Sequence, residues 1–279
     1  MHPHYLTSYI FWKKWFRDHP QNPNFGGYIF PQPIEQFREK VWKGRSVCPI
    51  CNDFKSVQVG EDGVLIEPTE VYCICTVLEF IMDRWKGNKL FESTWKRDAN
   101  IDELKPFGDK QAINDLKEFK VYIKQWVNNP TRWVWVQSSN TGTGKTKTMH
   151  WIRATLGSMV TYVSVEQMAA QMFNLLNTNK DKLEEMKKHL RDAPILILDD
   201  VGYEHNVGWT KKFFGEMING RYLANSKITP SIVVATSNLD LADLAASSDL
   251  DIRRPASRFA DKQMCDQFIL SQEDFRVKA

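Results

Sequence analysis

The second half of the chain alternates between segments with helical spacing of apolar residues and short runs of consecutive apolar residues. The first kind predicts helices at 109–127, 145–156, 166–176, 181–191 and 209–224. The second kind predicts buried strands at 133–136, 160–165, 195–198, 231–236 and 268–270. Helices alternating with fully buried strands are typical of an α/β domain with a parallel sheet flanked by helices, which we expect over 109–279.

The first part of the chain has a different pattern. Residues 1–46 are rich in aromatic residues and proline, and contain one predicted helix at 34–43. Residues 47–76 indicate short strands around turns, with a hairpin turn at 61–63. We therefore expect an N-terminal region over 1–80 and a linker over 81–108.

Composition places the protein in an ordinary class. Hydrophobic residues make up 42% and charged residues 25% of the 279 residues. No apolar run approaches the ~18 residues that cross a bilayer, and the aromatic N-terminus lacks the pattern of a secretory signal. We therefore expect a cytoplasmic protein with no membrane partner.

The net charge of +3 neither requires nor excludes a nucleic-acid partner. The basic excess lies within residues 1–60, which hold eight Lys and Arg against four Asp and Glu.

A phosphate-binding loop is predicted between the first strand of the sheet domain and the helix that follows it. Its residues, which fit the P-loop pattern except that serine replaces the first glycine, are Ser139, Asn140, Thr141, Gly142, Thr143, Gly144, Lys145 and Thr146. Lys145 would reach the β- and γ-phosphates of ATP, and the Thr146 hydroxyl would bind Mg²⁺. Thr148 is included among the nucleotide-binding residues. The alternative is a glycine-rich turn that binds nothing.

Two carboxylates end the strand at 195–198. Asp199 would hold Mg²⁺ through its water shell, and Asp200 would polarise the attacking water. An aspartate is one methylene shorter than the glutamate commonly found here, so we expect slow hydrolysis. The alternative is a solvated Asp pair at a strand end.

Asn238 follows the strand at 231–236. If that strand lies between the phosphate-loop strand and the acidic strand, Asn238 faces the γ-phosphate; otherwise it is a turn residue. Arg253, Arg254 and Arg258 follow a helix-like stretch, and an arginine supplied across a subunit interface would stabilise the transferred phosphoryl group. Arg258 is the first choice, and ordinary surface arginines are the alternative.

Four of the five cysteines form two close pairs, Cys48 with Cys51 and Cys73 with Cys75, separated by a 21-residue insert. Short-spaced pairs on turns supply the four thiolates of a structural Zn²⁺ site, so we predict a small zinc module; scattered core cysteines are the alternative. Cys265 stands apart and is expected in the core.

Two further groups are candidates for contacts with partners. The aromatic segment Phe11, Trp12, Trp15 and Phe16 fits a partner-binding or DNA-stacking surface, or simple packing within its own domain. Trp209, Lys211 and Lys212 are weaker candidates for DNA contact.

The ordered motifs resemble a known family. The set SSNTGTGKT, ILILDDVG, VVATSN, RRPASRF and Asp274-Phe275-Arg276 resembles the DnaC/DnaI-type helicase-loader ATPases, and is similar also to the IstB-type transposition ATPases. Both belong to the AAA+ class, and the resemblance covers about 90–279. Since the sequence stops at Ala279, we expect no helical lid, as in the loader branch. Arg276 has either a sensor-like role or a structural salt bridge.

The resemblance implies an ATP-dependent oligomer that self-associates through its ATPase domain and binds single-stranded DNA in replication. It also implies that the N-terminal region, with its zinc module, docks on a replicative helicase. A helper of transposition that delivers a transposase is one alternative. A non-hydrolysing adaptor that binds ATP only to assemble on DNA is the other.

Overall fold

The computed structural model describes residues 4–18, 34–43, 48, 56–58, 70–88, 99–106, 108–202, 208–225 and 231–272. The chain forms two compact units, residues 1–86 and residues 87–279. Within the described ranges, no helix has the length and apolar character needed to cross a membrane.

The first unit combines helices with a two-stranded sheet. Its elements are α1 (His4–Asp18), α2 (Ile34–Phe37) continued by a π-helical turn (Arg38–Trp42), β1 (Ser56–Gln58), β2 (Glu70–Tyr72) and α3 (Ile74–Asn88). Strands β1 and β2 are antiparallel, with Val57 opposite Val71. The helix predicted at 34–43 is present, whereas the hairpin turn predicted at 61–63 lies outside the described residues.

The aromatic segment of α1 forms part of the core of this unit. Trp12, Trp15 and Phe16 are buried, and Phe11 is half-buried. The rings of Trp12 and Trp15 meet edge to face with centroids 5.8 Å apart. The indole N–H of Trp12 donates to the Tyr72 carbonyl at 2.8 Å, which ties α1 to β2. These contacts favour packing within the domain over a partner-binding surface.

The second unit is an α/β domain. Its strands are β3 (Trp133–Gln137), β4 (Val160–Ser164), β5 (Ile195–Val201), β6 (Ile232–Ser237) and β7 (Cys265–Ile269). Its α-helices are α4 (Lys110–Trp126), α5 (Lys145–Leu156), α6 (Val165–Thr178), α7 (Lys180–Asp192), α8 (Gly208–Asn225), α9 (Leu241–Ala246) and α10 (Leu250–Phe259). The five strands are parallel, in the order β4-β5-β6-β3-β7. The predicted fold class, a parallel sheet flanked by helices, is confirmed.

Local sequence explains why these elements form where they do. Asp109 caps α4, since its carboxylate accepts from the Ala112 N–H at 2.8 Å. The apolar residues on one face of α4, from Leu116 to Ile123, are buried. Strands β3, β5 and β6 are buried on both faces, as their continuous apolar runs predict.

Several boundaries differ from the sequence-based expectations. Strand β7 begins at Cys265, earlier than the predicted 268. The three arginines lie inside α10 rather than after a helix, with Pro255 in the same helix. Residues 74–76, expected within strands and turns, begin α3, so the boundary expected at residue 80 falls inside that helix.

Part of the expected linker belongs to the second unit. Residues Ile101–Glu103 form a 3-10 helix capped by the Asn100 side chain, and Ile101 and Leu104 are buried. A Cβ on Gly144 would lie 2.7 Å from the Leu104 side chain, so this segment packs directly against the phosphate loop. Two apolar residues three positions apart are too short a signal to show this from sequence.

A fully buried arginine joins three elements beneath the sheet. Arg221, on α8, donates to the carbonyls of Leu190, Arg191, Ala193 and Ile232 at 2.8–3.1 Å. The first two carbonyls lie in the last turn of α7, where a positive charge also favours the helix dipole. Arg221 therefore fixes the end of α7 against the starts of β5 and β6.

Candidate nucleotide site

The topology brings the predicted site residues to one edge of the sheet. Strand β6 lies between β5 and β3, as the proposed position of Asn238 requires. Because the three strands are parallel, the phosphate loop and Asn238 follow carboxyl ends at the same edge. The two aspartates, expected after a strand at 195–198, are the fifth and sixth residues of the seven-residue β5, near its carboxyl end. This edge is where open α/β sheets bind ligands.

The phosphate loop has the backbone of an anion cradle. Gly142 and Gly144 adopt left-handed conformations, with φ of 66° and 90°, which side chains disfavour. Gly144 is also the residue before the first turn of α5, whose N-terminus carries a partial positive charge. Backbone N–H groups in such a turn can surround a phosphate.

Lys145 lies inside this loop. Its side chain is buried, and its ammonium donates to the Asn140 carbonyl at 3.1 Å. The Ser138 carbonyl and the Thr143 hydroxyl are each 3.4 Å away. These three oxygens surround the positive charge within the loop.

The other predicted loop residues divide into two groups. Ser139, Asn140, Thr141 and Thr146 are exposed, whereas Thr143 and Thr148 are buried. The Thr148 hydroxyl donates to the Gly144 carbonyl at 3.0 Å, so it supports the loop from within α5. A role for Thr148 in direct nucleotide binding stays a prediction.

Asp199 is buried, and each oxygen of its carboxylate accepts a hydrogen bond. Tyr162 donates its hydroxyl to Oδ2 at 2.8 Å, and Thr236 donates to Oδ1 at 2.6 Å. One hydrogen bond at each oxygen leaves acceptor capacity for a further ligand. The carboxylate is thus held in one orientation.

Asp200 has an unusual backbone. Its φ is 61°, in the left-handed region, and its N–H donates to the Thr236 hydroxyl at 2.9 Å. Pairing of β5 with β6 shifts register between Leu198 and Val201, where this conformation falls. A non-glycine residue held in this region marks a candidate functional position.

Charge and burial act together on Asp200. Burial raises the pKa of its carboxyl above the ordinary value, and the neighbouring Asp199 raises it further. The ammonium of Lys145 acts in the opposite direction. The two aspartates and the lysine therefore form one electrostatic group at the sheet edge.

Asn238 and the three arginines are placed differently. Asn238 is exposed just after β6. Arg258 is half-buried, stacks over the Tyr222 ring at 4.4 Å and donates to Asn219 at 3.1 Å, while Arg253 and Arg254 are exposed. In the structure, Arg258 therefore contacts α8 of the same chain. The role of Arg258 across a subunit interface stays a prediction.

The weaker candidates for DNA contact are only partly described. Lys211 pairs with Asp249 at 2.9 Å, and Lys212 is exposed. The side chain of Trp209 lies outside the described residues, as do Asp274, Phe275 and Arg276.

Sequence reasoning missed residues that contact the site from other elements. Tyr162 and Thr236 hold Asp199, and Gln272, fully buried, donates to the Thr143 carbonyl at 3.3 Å. The Gln272 carbonyl in turn accepts from the Asn140 side chain at 2.8 Å. Polar residues inside apolar strands, such as Tyr162 and Thr236, were the available signal.

The first unit contains a cluster of thiols. The Sγ atoms of Cys48, Cys73 and Cys75 all lie within 4.8 Å of one another, and the three residues are buried. Cys51 lies outside the described residues. Cys265 is buried in β7, as expected of a core residue.

A phosphate loop before a helix, an acidic strand separated from the phosphate-loop strand by β6, and this strand order give the second unit an AAA+-like arrangement. Residues 122–238 match the family described as the bacterial DnaA ATPase domain. The predicted resemblance to AAA+ ATPases is thereby confirmed. No curated protein matches the chain.

Solved structures of replication proteins are also similar. AMPPCP-bound DnaA from Aquifex aeolicus is 19% identical over 63% of this chain and 51% of that chain, with a TM-score of 0.49. DnaI is 18% identical over 62% of this chain and 91% of that chain, with a TM-score of 0.48. The DnaC helicase loader is 19% identical over 62% of this chain and 96% of that chain, with a TM-score of 0.45. The chain spans about half the length of the DnaA chains it matches.

Proposed function

We propose that this protein is a Mg²⁺-dependent ATPase that loads a replicative helicase onto single-stranded DNA. The observation that supports ATP binding is the convergence of the phosphate loop, Asp199, Asp200 and Asn238 at one edge of the parallel sheet. Each group has the chemistry that phosphoryl transfer needs. The match to the DnaA ATPase domain covers all of them.

The residues present fit a magnesium ion. Thr146 places an exposed hydroxyl at the N-terminus of α5, and Asp199 offers a fixed carboxylate; such oxygens are the ligands Mg²⁺ prefers. The bound ion would neutralise charge on the β- and γ-phosphate oxygens.

The remaining residues would act on the water and the transferred group. Asp200 would accept a proton from the attacking water, and Asn238 would orient that water. Lys145 would move from its own loop carbonyls to the phosphates. Arg258 or a neighbouring arginine of another subunit would stabilise the phosphoryl group, which requires self-association through the ATPase domain.

The thiol cluster supports a zinc module in the N-terminal region. Three buried sulfur atoms within 4.8 Å match the ligand type and proximity of a structural Zn²⁺ site, and Cys51 would supply the fourth ligand. We propose that this region docks on the helicase. Reduced thiols also suit a cytoplasmic location.

One set of experiments tests the whole proposal. Wild-type protein should release phosphate from ATP, with stimulation by single-stranded DNA, and should co-purify with a hexameric helicase identified by mass spectrometry. Recovery of a transposase instead would favour a transposition helper. ATP binding without DNA-stimulated phosphate release would favour a non-hydrolysing adaptor, and either result would contradict helicase loading by ATP turnover.

A further inference from the structure

A buried chain of hydrogen bonds runs from the phosphate-loop helix to the acidic strand. His150 on α5 lies 3.2 Å from the Tyr162 hydroxyl through Nε2, and the two rings meet edge to face. Tyr162 on β4 donates to Asp199 on β5. Both His150 and Tyr162 are at most 6% exposed, so these bonds form away from solvent.

The protons in this chain can be assigned by counting. A tyrosine hydroxyl carries one hydrogen, and that hydrogen is directed to Asp199 Oδ2. The contact with His150 therefore requires Nε2–H to donate to the tyrosine oxygen. His150 supports the bond from Tyr162 to Asp199, because an oxygen that accepts a hydrogen bond becomes a better donor.

The position of His150 on α5 indicates what this series of hydrogen bonds does. Thr146 and His150 are four residues apart, so they lie on the same face of the helix. Thr146 and Asp199 are the two residues assigned to magnesium. The hydrogen bonds through His150 and Tyr162 join α5 to β5, which are the two elements that carry Thr146 and Asp199.

We propose that Tyr162 and His150 are positioning residues that set the orientation of Asp199 relative to Thr146 for magnesium binding. This inference rests on the proposed ATPase function. Residues that hold a metal ligand in place commonly change metal affinity 10–100-fold when mutated. Both residues would act through Asp199, which Tyr162 contacts directly and His150 contacts through Tyr162.

The same strand offers a matched control. Thr161 adjoins Tyr162 on β4, so its side chain points to the opposite face of the sheet. It too is a buried hydroxyl in contact with a buried histidine, His189 of α7, at 3.3 Å. Thr161→Val removes a comparable bond without reaching Asp199.

The test measures metal affinity in the full-length protein. Mn²⁺ binding is followed by electron paramagnetic resonance in the presence of AMPPCP, and nucleotide binding is measured separately in EDTA. Tyr162→Phe should weaken Mn²⁺ binding roughly 10-fold or more, with nucleotide affinity in EDTA changed less than about twofold. Thr161→Val should leave Mn²⁺ affinity at the wild-type value even if its melting temperature falls.

His150 supplies an independent arm should Tyr162→Phe not fold. His150→Leu removes the donor and should weaken Mn²⁺ binding about threefold to tenfold, whereas His150→Gln retains an N–H donor and should restore most of the affinity. A merely structural role would lower stability in both variants without this rescue.

Two outcomes overturn the inference by itself while the proposed function stands. One is wild-type Mn²⁺ affinity in Tyr162→Phe and in His150→Leu. The other is an equal loss of Mn²⁺ affinity in Thr161→Val. If wild-type protein binds no AMPPCP at all, the proposed function fails and this inference fails with it.

Discussion

The two candidate ligand sites of this protein are built in opposite ways. At the nucleotide site, protein groups already bind the polar side chains: Lys145 donates to loop oxygens, and Asp199 accepts from Tyr162 and Thr236. In the N-terminal unit, three buried thiols crowd together beside a sheet of two three-residue strands. The first site lies at the edge of a five-stranded sheet, whereas the second adjoins a sheet of two short strands and holds three thiols that a metal would bind.

The difference predicts how each unit responds to loss of its ligand. A five-stranded sheet with buried helices stabilises the nucleotide site without nucleotide. Structural zinc in small units contributes much of the folding free energy, about 10–16 kcal/mol in zinc-finger peptides. Order in the first unit should therefore depend on its ligand, and order in the second should not.

Removal of the proposed zinc ion is expected to have the largest effect. Chelation, or Cys73→Ser, should unfold residues 1–86 and leave the ATPase unit folded. Hydrogen exchange resolved by peptide measures both units in one sample. Cys265→Ser is the control, because Cys265 lies in the other unit; protection of 70–88 that survives complete zinc removal would contradict the comparison.

Asp200→Asn is expected to abolish most hydrolysis without disturbing binding. Loss of a general base lowers the turnover rate by about 10²–10⁴-fold, whereas the amide keeps the shape of the side chain. Steady-state phosphate release and nucleotide affinity, measured on the same preparation, separate the two effects. Unchanged turnover would remove Asp200 from the mechanism.

Arg221→Met is expected to lower the free energy of unfolding of the second unit by about 3 kcal/mol. The substitution keeps an apolar stem but leaves buried carbonyls at the end of α7 without their donor. Urea unfolding followed by tryptophan fluorescence gives the value. Arg254→Met, at an exposed position, should change it by less than about 0.5 kcal/mol.

Tyr222→Phe should have the smallest effect, since it removes one surface bond from the well-ordered unit. The Tyr222 hydroxyl donates to Asp261 at 2.7 Å and is the main cause that lowers the pKa of that carboxyl. A lowered folded-state pKa stabilises the protein above the ordinary Asp pKa, and this contribution is lost as pH falls through the folded value. The variant should therefore be less stable than wild type at neutral pH, with the deficit vanishing in acid.

A carboxyl-carbon NMR titration checks the same bond. The pKa of Asp261 should rise toward its ordinary value in Tyr222→Phe. An unchanged pKa would show that the Tyr222 bond does not control this carboxyl.

The sequence predicted the α/β domain better than it predicted the N-terminal unit. Continuous apolar runs in β3, β5 and β6 identified buried strands, and the P-loop spacing identified the phosphate loop. Both signals are local, because neighbouring residues produce them. The role of Asn238 was conditional on a position of its strand between the phosphate-loop strand and the acidic strand, and β6 has that position.

Helix α3 was missed although its signal was present. Ile74, Val77, Leu78 and Ile81 are buried at spacings of three and four, which is the pattern of a helix face. The short spacing of Cys73 and Cys75 is typical of metal-binding turns, and it predicted strands and turns over the same residues. The cysteine pattern and the helical pattern overlap in the same residues.

The contacts around Asp199 could not be predicted from local patterns. Tyr162 and Thr236 are each 37 residues from Asp199, and they meet it only because β4 and β6 flank β5. A polar side chain inside an apolar strand indicates that a partner exists, but the fold decides which one.

Nucleotide binding by the phosphate loop tests the central claim most directly. Titration of folded, zinc-loaded wild-type protein with a fluorescent ATP analogue and Mg²⁺ should give a dissociation constant below about 1 mM, and Lys145→Ala should weaken it about 100-fold, or ~2.7 kcal/mol. Absence of binding by wild type at millimolar nucleotide, or equal binding by Lys145→Ala, would contradict the account.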